Sequence, residues 1–437
     1  MNFDKLFKEA KAAGIEDIQI FYVQDEELEI EVFKGEVEKY TIANTASLSA
    51  KGIYNGKMGT VSTEQVDDSV IEFIISSIID SAKYISSEDE VFIYEGDKSY
   101  TEVEGLFNPD ISQVGNDKKI ADTKLLEVLA LKEDERAKMV QAFYGESTRK
   151  VLLQNSKGLK LQKEVNNGMM GVYIIASDGK DQRTGIEYIQ SNDYNDYDLN
   201  ALVKGGVKKA VGLLGATACE SGEYEILLEN EASASLLAAY VSMFSAEMVQ
   251  KDVSLLKGKL GKIIGNDKVT IVDDPFMKKS VKSGSFDDEG VKTEYKEVVA
   301  NGKLTTFLHN LKTAKKDNVK STGNAFGRGI APTNFYFKNG TSKKEDIIKG
   351  MKKGLFITGL DGTHAGTNAI SGDFSLQAKG YLVKDGKIES PVALITVAGN
   401  YLDVLNDVLS VCDDLKFGFN YIGSPSLHLK SLAVSGK

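Results

Sequence analysis

The sequence predicts an α+β fold in two parts, and three observations predict it. Runs with period-two hydrophobicity follow one another through short Xaa-Gly turns, which is the mark of antiparallel hairpins. Amphipathic helices bracket those runs, and the order helix, meander, helix occurs twice. The second half is rich in glycine and short strands, with a single long helix at its start.

The first helix is predicted to end at Gly14, with Phe3, Leu6, Phe7 and Ala10 on one face. IQIFYVQ, LEIEVFK, EVEKYTIAN, SLSAKGIYNG and KMGTVST then read as consecutive strands, with Lys34-Gly35 and Asn55-Gly56 as hairpin turns. A helix over about Val66 to Ile85 closes the first unit, its positive end favoured by Asp67 and Asp68. The second unit opens with a helix from Ile120 to Leu131. It continues through KMVQAFYGE, KVLLQN, GLKLQKEV, MMGVYIIAS and DQRTGIEYIQ, and closes with a helix from Asp198 toward Leu214. The result is antiparallel sheet flanked by helices.

The small, polar link Gly215 to Gly222 is placed as a boundary, dividing an N-terminal α+β domain (1–218) from a C-terminal β-rich domain (219–437). A helix from about Asn230 to Val249 follows, with Leu236, Ala239, Tyr240, Met243 and Phe244 as its apolar stripe. KVTIVDD, TEYKEVVANGKLTTFLHN, PTNFYFKNG, GLFITGL, SLQAKGYLVKDGKIESPVALITVAGN and LHLKSLAVSG then read as strands, with Asn301-Gly302 and Asp385-Gly386 as hairpin turns. This half is expected to form a twisted sheet or a partly closed barrel.

Composition narrows the function. The 437 residues exceed one ordinary core, and 42% hydrophobic with 27% charged residues describes a globular chain. A formal charge of -11 repels phosphate backbones, so nucleic acid is excluded as an expected partner. Cys219 and Cys412 stand far apart, which removes a disulfide framework and a zinc ribbon and fits a reducing cytoplasm. The first residues lack the apolar core of a signal peptide, and the most apolar run, Val70 to Asp80, is too short to cross a bilayer.

Chemistry could sit in three places. LENEASASLL opens the long helix with Asn230-Glu231, the pattern of a zinc-protease helix in which a histidine binds the metal and the adjacent Glu activates water. Here Asn230 is an amide, Ala234 and Ser235 follow at the spacings where a second histidine would stand, and the bland alternative is a helix N-cap at Asn230. The pair Asp287 and Asp288 in FDDEG could hold a cation or act as acid and base, or could shape a turn. The loop Gly362 to Ser375, containing Asn368, Gly372 and Asp373, offers backbone groups to an extended peptide, or simply connects strands. His309, His364 and His428 are isolated, and neither a P-loop nor a GxSxG elbow is present.

On FDDEGVKT, GNAFGRGIAPTNFYFKNG, the run from GLFITGLDG to ITVAGN and the closing LHLKSLAVSG, the sequence resembles the TldD/PmbA family, described as modulators of DNA gyrase and of peptide-antibiotic maturation. In its TldD branch this helix carries HExxxH and a late cysteine completes the zinc site. Asn230, Glu231 and Ser235 stand at those positions here, and FNYIGSPS has no cysteine, so the pattern resembles the PmbA branch, also called TldE. The resemblance implies no catalytic residue or metal in this chain, with zinc in a TldD-like HExxxH partner, unfolded or leader peptides as substrate, and a homodimer as a second assembly. Two alternatives stand beside it: a regulatory protein acting on gyrase or a toxin-antitoxin system without proteolysis, and a stand-alone hydrolase using Asp287, Asp288 and Glu231 with a weakly held cation.

Overall fold

In the computed structural model, which describes residues 1–86, 90–327 and 329–437, α1 (Phe3–Ala12) starts where the Asn2 side chain accepts the Lys5 N–H at 3.0 Å. β1 (Ile18–Phe33), β2 (Glu36–Tyr54) and β3 (Lys57–Thr63) follow, then α2 (Ile71–Lys83), shorter than the apolar pattern suggests because a separate turn capped by Asp67 precedes it. The second unit is α3 (Asp110–Gln113), α4 (Asn116–Glu133), β4 (Ala137–Asn155), β5 (Lys160–Ser177), β6 (Gln182–Ser191) and α5 (Leu199–Val211). The ten expected strand runs are thus six long strands. IQIFYVQ and LEIEVFK are one strand because the polar stretch between them does not turn: Gln24 pairs with Lys150 and Asp25 with Arg149, whose guanidinium grips the carboxylate at 2.6 and 2.9 Å.

The six strands form one sheet in the order β3-β2-β1-β4-β5-β6, so the two meanders are joined by antiparallel pairing of β1 with β4. The expected repeat is present as two three-stranded halves. Even-numbered residues of β1 (Ile18, Ile20, Leu28, Ile30, Val32) face the helices; α1 and α2 cover the first half with Leu6, Ile74 and Ile78, and α4 and α5 cover the second with Leu126, Leu202 and Val207. The opposite face, through Phe21, Val23, Val151 and Leu153, packs on Phe286 of the C-terminal half.

That half starts with β7 (Gly222–Leu228), α6 (Asn230–Tyr240) and α7 (Ala246–Gln250), then β8 (Ile271–Asp274), β9 (Lys296–Ala300), β10 (Lys303–Leu304), α8 (Leu311–Lys316), β11 (Ala325–Phe326), β12 (Gly329–Ile330) and β13 (Asn334–Phe337). It continues with α9 (Lys344–Gly350), β14 (Lys353–Asp361), α10 (Thr363–Gly366), β15 (Asp373–Lys384), β16 (Lys387–Asn400), α11 (Tyr401–Asn406), β17 (Val408–Val411), β18 (Lys416–Phe417), β19 (Ile422–Ser424) and β20 (Leu427–Ser435). Strands β7, β14, β15, β16 and β20 pair in a ring, since β16 also bonds β20, and make a closed five-stranded barrel. A second sheet runs β10-β9-β8-β13-β19-β18. One core joins the two, and α6 contributes Ala232, Leu236, Leu237 and Tyr240 to it.

The single long helix expected from Asn230 to Val249 is broken. It tightens into a 3-10 turn over Val241–Phe244, Ser245 is extended, and Ala246 N–H is taken by Leu308 O at 2.9 Å. Met243 and Phe244 stay buried through the break, so the apolar spacing does not mark it.

Candidate functional site

Helix α6 leaves the barrel at the end of β7. The Glu229 N–H donates to Ile357 O on the parallel strand β14 at 2.8 Å, and Glu229, not Asn230, occupies the N-cap position. Asn230 is the first helical residue, and each end of its side chain is engaged: Oδ1 accepts the Glu231 N–H at 2.7 Å, and Nδ2 donates to Asp414 O at 2.9 Å. Its backbone N–H goes to Ser426 Oγ at 3.1 Å, and Ser426 Oγ in turn donates to Asp414 Oδ2 at 2.8 Å. Asn230 ties the helix start to the connection between β17 and β18 through Asp414 and to the residue before β20 through Ser426.

Glu231 sits in a cluster of four charges drawn from both halves of the chain. Lys209 of α5 reaches both its oxygens, and Lys416 of β18 reaches Oε1 at 2.6 Å. Glu187 of β6 completes the ring, 3.0 Å from Lys209 and 2.7 Å from Lys416. Burial alone would raise the Glu231 pKa, but the Lys209 and Lys416 charges outweigh it and hold the carboxyl below its ordinary value. Tyr188 stacks on Phe419 with ring centres 3.7 Å apart, and Lys416 lies over the Tyr188 ring. A carboxylate with two ammonium groups on it has little capacity to take a proton from water or to ligate a cation.

Ser235 lies one turn further along α6. With Ala238 and Ala239 it lines a groove of about 400 Å³ whose other walls are Thr363, His364 and Thr367 of the loop containing α10, and Asn420 between β18 and β19. The positions 235, 238 and 239 share a helix face by spacing. The structure therefore brings Ser235 together with the loop singled out as a peptide contact.

Within that loop Asn368, Gly372 and Asp373 act on the loop itself. Asn368 Oδ1 accepts the N–H groups of Ile370 and Ser371, which is an Asx turn. Gly372 has φ +85°, and its carbonyl and that of Asp373 accept the Tyr240 hydroxyl at 3.0 and 2.9 Å. The Asp373 carboxylate accepts from Asn400 Nδ2 at 3.0 Å, and that bond holds its pKa below the ordinary range. Tyr240, at the end of α6, stacks on Tyr401 and pins the loop against the helix that forms the groove floor.

Asp287 and Asp288 lie apart from the groove residues, where the C-terminal half meets the N-terminal sheet. Asp287 is fully buried and accepts backbone N–H groups from Glu289, Val291 and Ala325, each at 3.0 Å. Burial pushes its carboxyl up to about 7, against the pull of those donors. Asp288 Oδ2 accepts from Gly327 N at 2.7 Å, and its carbonyl takes the Gln19 side chain. Both shape the turn between the two halves.

Family models described as PmbA/TldA metallopeptidase domain 1, central domain and C-terminal domain match residues 19–83, 109–214 and 221–436. This chain belongs to the PmbA/TldD metallopeptidase family. A Thermotoga maritima protein described as a candidate modulator of a DNA gyrase is 35% identical, with a TM-score of 0.93 over 99% of both chains. The metalloprotease PmbA homolog of Haemophilus influenzae is 27% identical over 92% of this chain and 88% of its own length. TldE from Thermococcus kodakarensis, 23% identical, has the same fold, with a TM-score of 0.91 over 99% of this chain and 100% of that one.

A metal expected of the PmbA/TldD family does not fit the residues at the start of α6. The Asn230 amide is engaged at both ends, Glu231 is neutralised by two lysines, and Ser235 faces the groove as a hydroxyl. Among the described residues no group of three His, Cys, Asp or Glu stands close enough to hold a metal ion. Cys412, in the stretch before β18, is buried and its thiol is pushed up to about 12 by burial. Sequence reasoning missed Glu187, Lys209, Lys416 and Asn420, each ordinary in its local run; the only local signal was a Glu beside an amide at the start of the helix.

Proposed function

We propose that this chain is the zinc-free subunit of a TldD/TldE-type metalloprotease, acting in the cytoplasm and contributing part of the peptide groove and a dimer surface. Zinc and the general base would come from a TldD-like HExxxH subunit. The single observation that carries the reading is the grip of Lys209 and Lys416 on Glu231, which converts the one retained member of the motif into a tie between elements.

The groove between α6 and the Gly362–Ser375 loop is where an unfolded or leader peptide would lie in extended form. Backbone pairing with a loop reads extension rather than side-chain sequence, which suits substrates without a fold. His364 and the hydroxyls of Ser235, Thr363 and Thr367 would add hydrogen bonds along that path.

Elemental analysis of the chain purified alone without chelators is the test, paired with peptidase assays of the chain alone and with an HExxxH partner. Near-zero zinc, no cleavage alone and chelator-sensitive cleavage by the pair are expected. About one zinc per chain, or cleavage by the chain alone, overturns the reading. An inactive pair favours a regulatory role instead.

A further inference from the structure

We propose that Phe419 is a specificity-determining contact beside the α6 groove, where it takes an apolar side chain, aromatic above all, of the bound peptide; this rests on the groove reading above. Phe419 directly precedes Asn420, a wall of the groove, in the turn from β18 to β19. The turn is closed by its own bonds: Gly418 N–H donates to Ile422 O at 2.9 Å, Tyr421 N–H to Gly418 O at 3.0 Å, and Ile422 N–H to Asn420 Oδ1 at 3.1 Å. The Phe419 ring lies on Tyr188 with the two planes 19° apart. Tyr188 is 8% exposed and Phe419 47%, so Tyr188 is the inner ring and Phe419 presents its outer face to solvent. Tyr188 is itself held, by its hydroxyl on Phe417 O and by the Lys416 ammonium over its ring.

An aromatic ring fixed in this way loses little freedom when a ligand covers it, so its contact area goes into affinity instead of ordering. The facing loop carries a second exposed apolar side chain, Ile370, three residues after the groove wall Thr367. The groove lining between these two elements has hydroxyls, an amide, an imidazole and two alanine methyls, and no carboxylate, lysine or arginine. The charges next to it on α6 and β18 balance two against two, in the ring of Glu187, Glu231, Lys209 and Lys416. Such a site reads extension through backbone bonds and apolar area through Phe419, and has little charge to read. Aromatic and large aliphatic side chains are mostly buried in folded proteins. One that is offered on an extended segment marks a chain without a fold, which ties the contact to the substrate class.

The test is fluorescence anisotropy of the intact chain with short fluorescein-labelled peptides of Gly, Ser and Thr that carry a single central Phe or a single central Ala. The uncharged flanks let the Phe slide into register. The Phe peptide is expected to bind about tenfold more tightly than the Ala peptide, as covering part of an aromatic ring yields. Phe419→Ala should bring the two affinities together by weakening the Phe peptide alone, and Phe419→Tyr should keep the preference. Tyr188→Leu, which removes the inner ring, should reduce the preference while Phe419 is still present. Ala239→Leu should weaken both peptides and so reports on the groove itself. Equal binding of the two peptides, or a preference that survives Phe419→Ala, overturns the proposal and leaves the groove reading standing if Ala239→Leu still weakens both. Binding of neither peptide, or binding indifferent to Ala239→Leu, overturns the groove reading and this contact with it.

Discussion

Lys209 places its ammonium nitrogen 2.6 Å from Oε1 and 2.8 Å from Oε2 of Glu231. The contact joins a helix packed on the N-terminal sheet to the helix that leaves the barrel. With Lys416 and Glu187 it makes an alternating ring in which each carboxylate touches two lysines. Removing one member leaves the rest unbalanced, and this sets the first expectation.

Glu231→Gln should destabilise the protein by about 1 to 3 kcal/mol, because two partly buried lysines would then share Glu187 alone. The midpoint of urea unfolding checks it. A variant as stable as the parent would mean the ring carries no structural weight.

The same ring gives a pH dependence. The folded-state pKa of Glu231 lies below its unfolded value of about 4.3, so in that window the unfolded chain binds more protons than the native one. The contribution is fully present above the unfolded pKa and is lost as pH falls through the folded one. The stability gap between parent and Glu231→Gln should therefore shrink on acidification, as measured by unfolding midpoints at stepped pH.

Asp287 behaves in the opposite sense. With its carboxyl raised to about 7 in the fold, against about 3.9 unfolded, the native state binds more protons in between. Stability should fall as pH rises through that window, and Asp287→Asn should lack this slope. The variant should also lose about 1 to 3 kcal/mol, since an amide NH₂ would face a backbone N–H.

Tyr240→Phe removes the hydroxyl that donates to the carbonyls of Gly372 and Asp373. Amide hydrogen exchange within 363–373 should speed up, with global stability reduced by about 1 kcal/mol. Gly372→Ala should act on the same loop more strongly, at about 1 to 3 kcal/mol, since its φ of +85° suits glycine and a Cβ would lie 2.5 Å from Leu255 Cδ2.

Ala239→Leu would fill part of the groove beside Ser235. In the reconstituted pair KM for an unfolded peptide should rise several-fold while the unfolding midpoint stays nearly constant. An unchanged KM would place the peptide elsewhere.

Much of the fold was legible because turns and periodicity are local. Lys34, Asn55, Asn301 and Asp385 all take positive φ and each precedes a glycine that does the same, as their hairpin turns require. The repeat was legible as element order. Strand continuity through Gln24 to Glu27 was not, since polar residues there are held by partners on β4 more than a hundred positions away. The break after Tyr240 was hidden because burial continues through it.

The site was legible only in part. Asn230, Glu231 and Ser235 fall within one short stretch, and that an amide and a hydroxyl are poor zinc ligands can be read from residue types alone. What Glu231 does instead depends on Lys209, which is 22 positions away, and on Lys416, which is 185 away. Pairs so far apart leave no spacing to read. The aspartates at 287 and 288 looked like a chemical pair because side-chain type does not show that backbone N–H groups already hold them.

The order of the N-terminal sheet has a kinetic consequence. Within each meander the strands are neighbours along the chain and can pair early, at small cost in loop closure. The central seam is different: Gln19 must find Asn155, across the whole of the first unit and the start of the second. Two half-sheets should therefore form first, each under its own pair of helices, and the β1–β4 seam should close late, making the middle of the sheet the last part to gain protection during refolding.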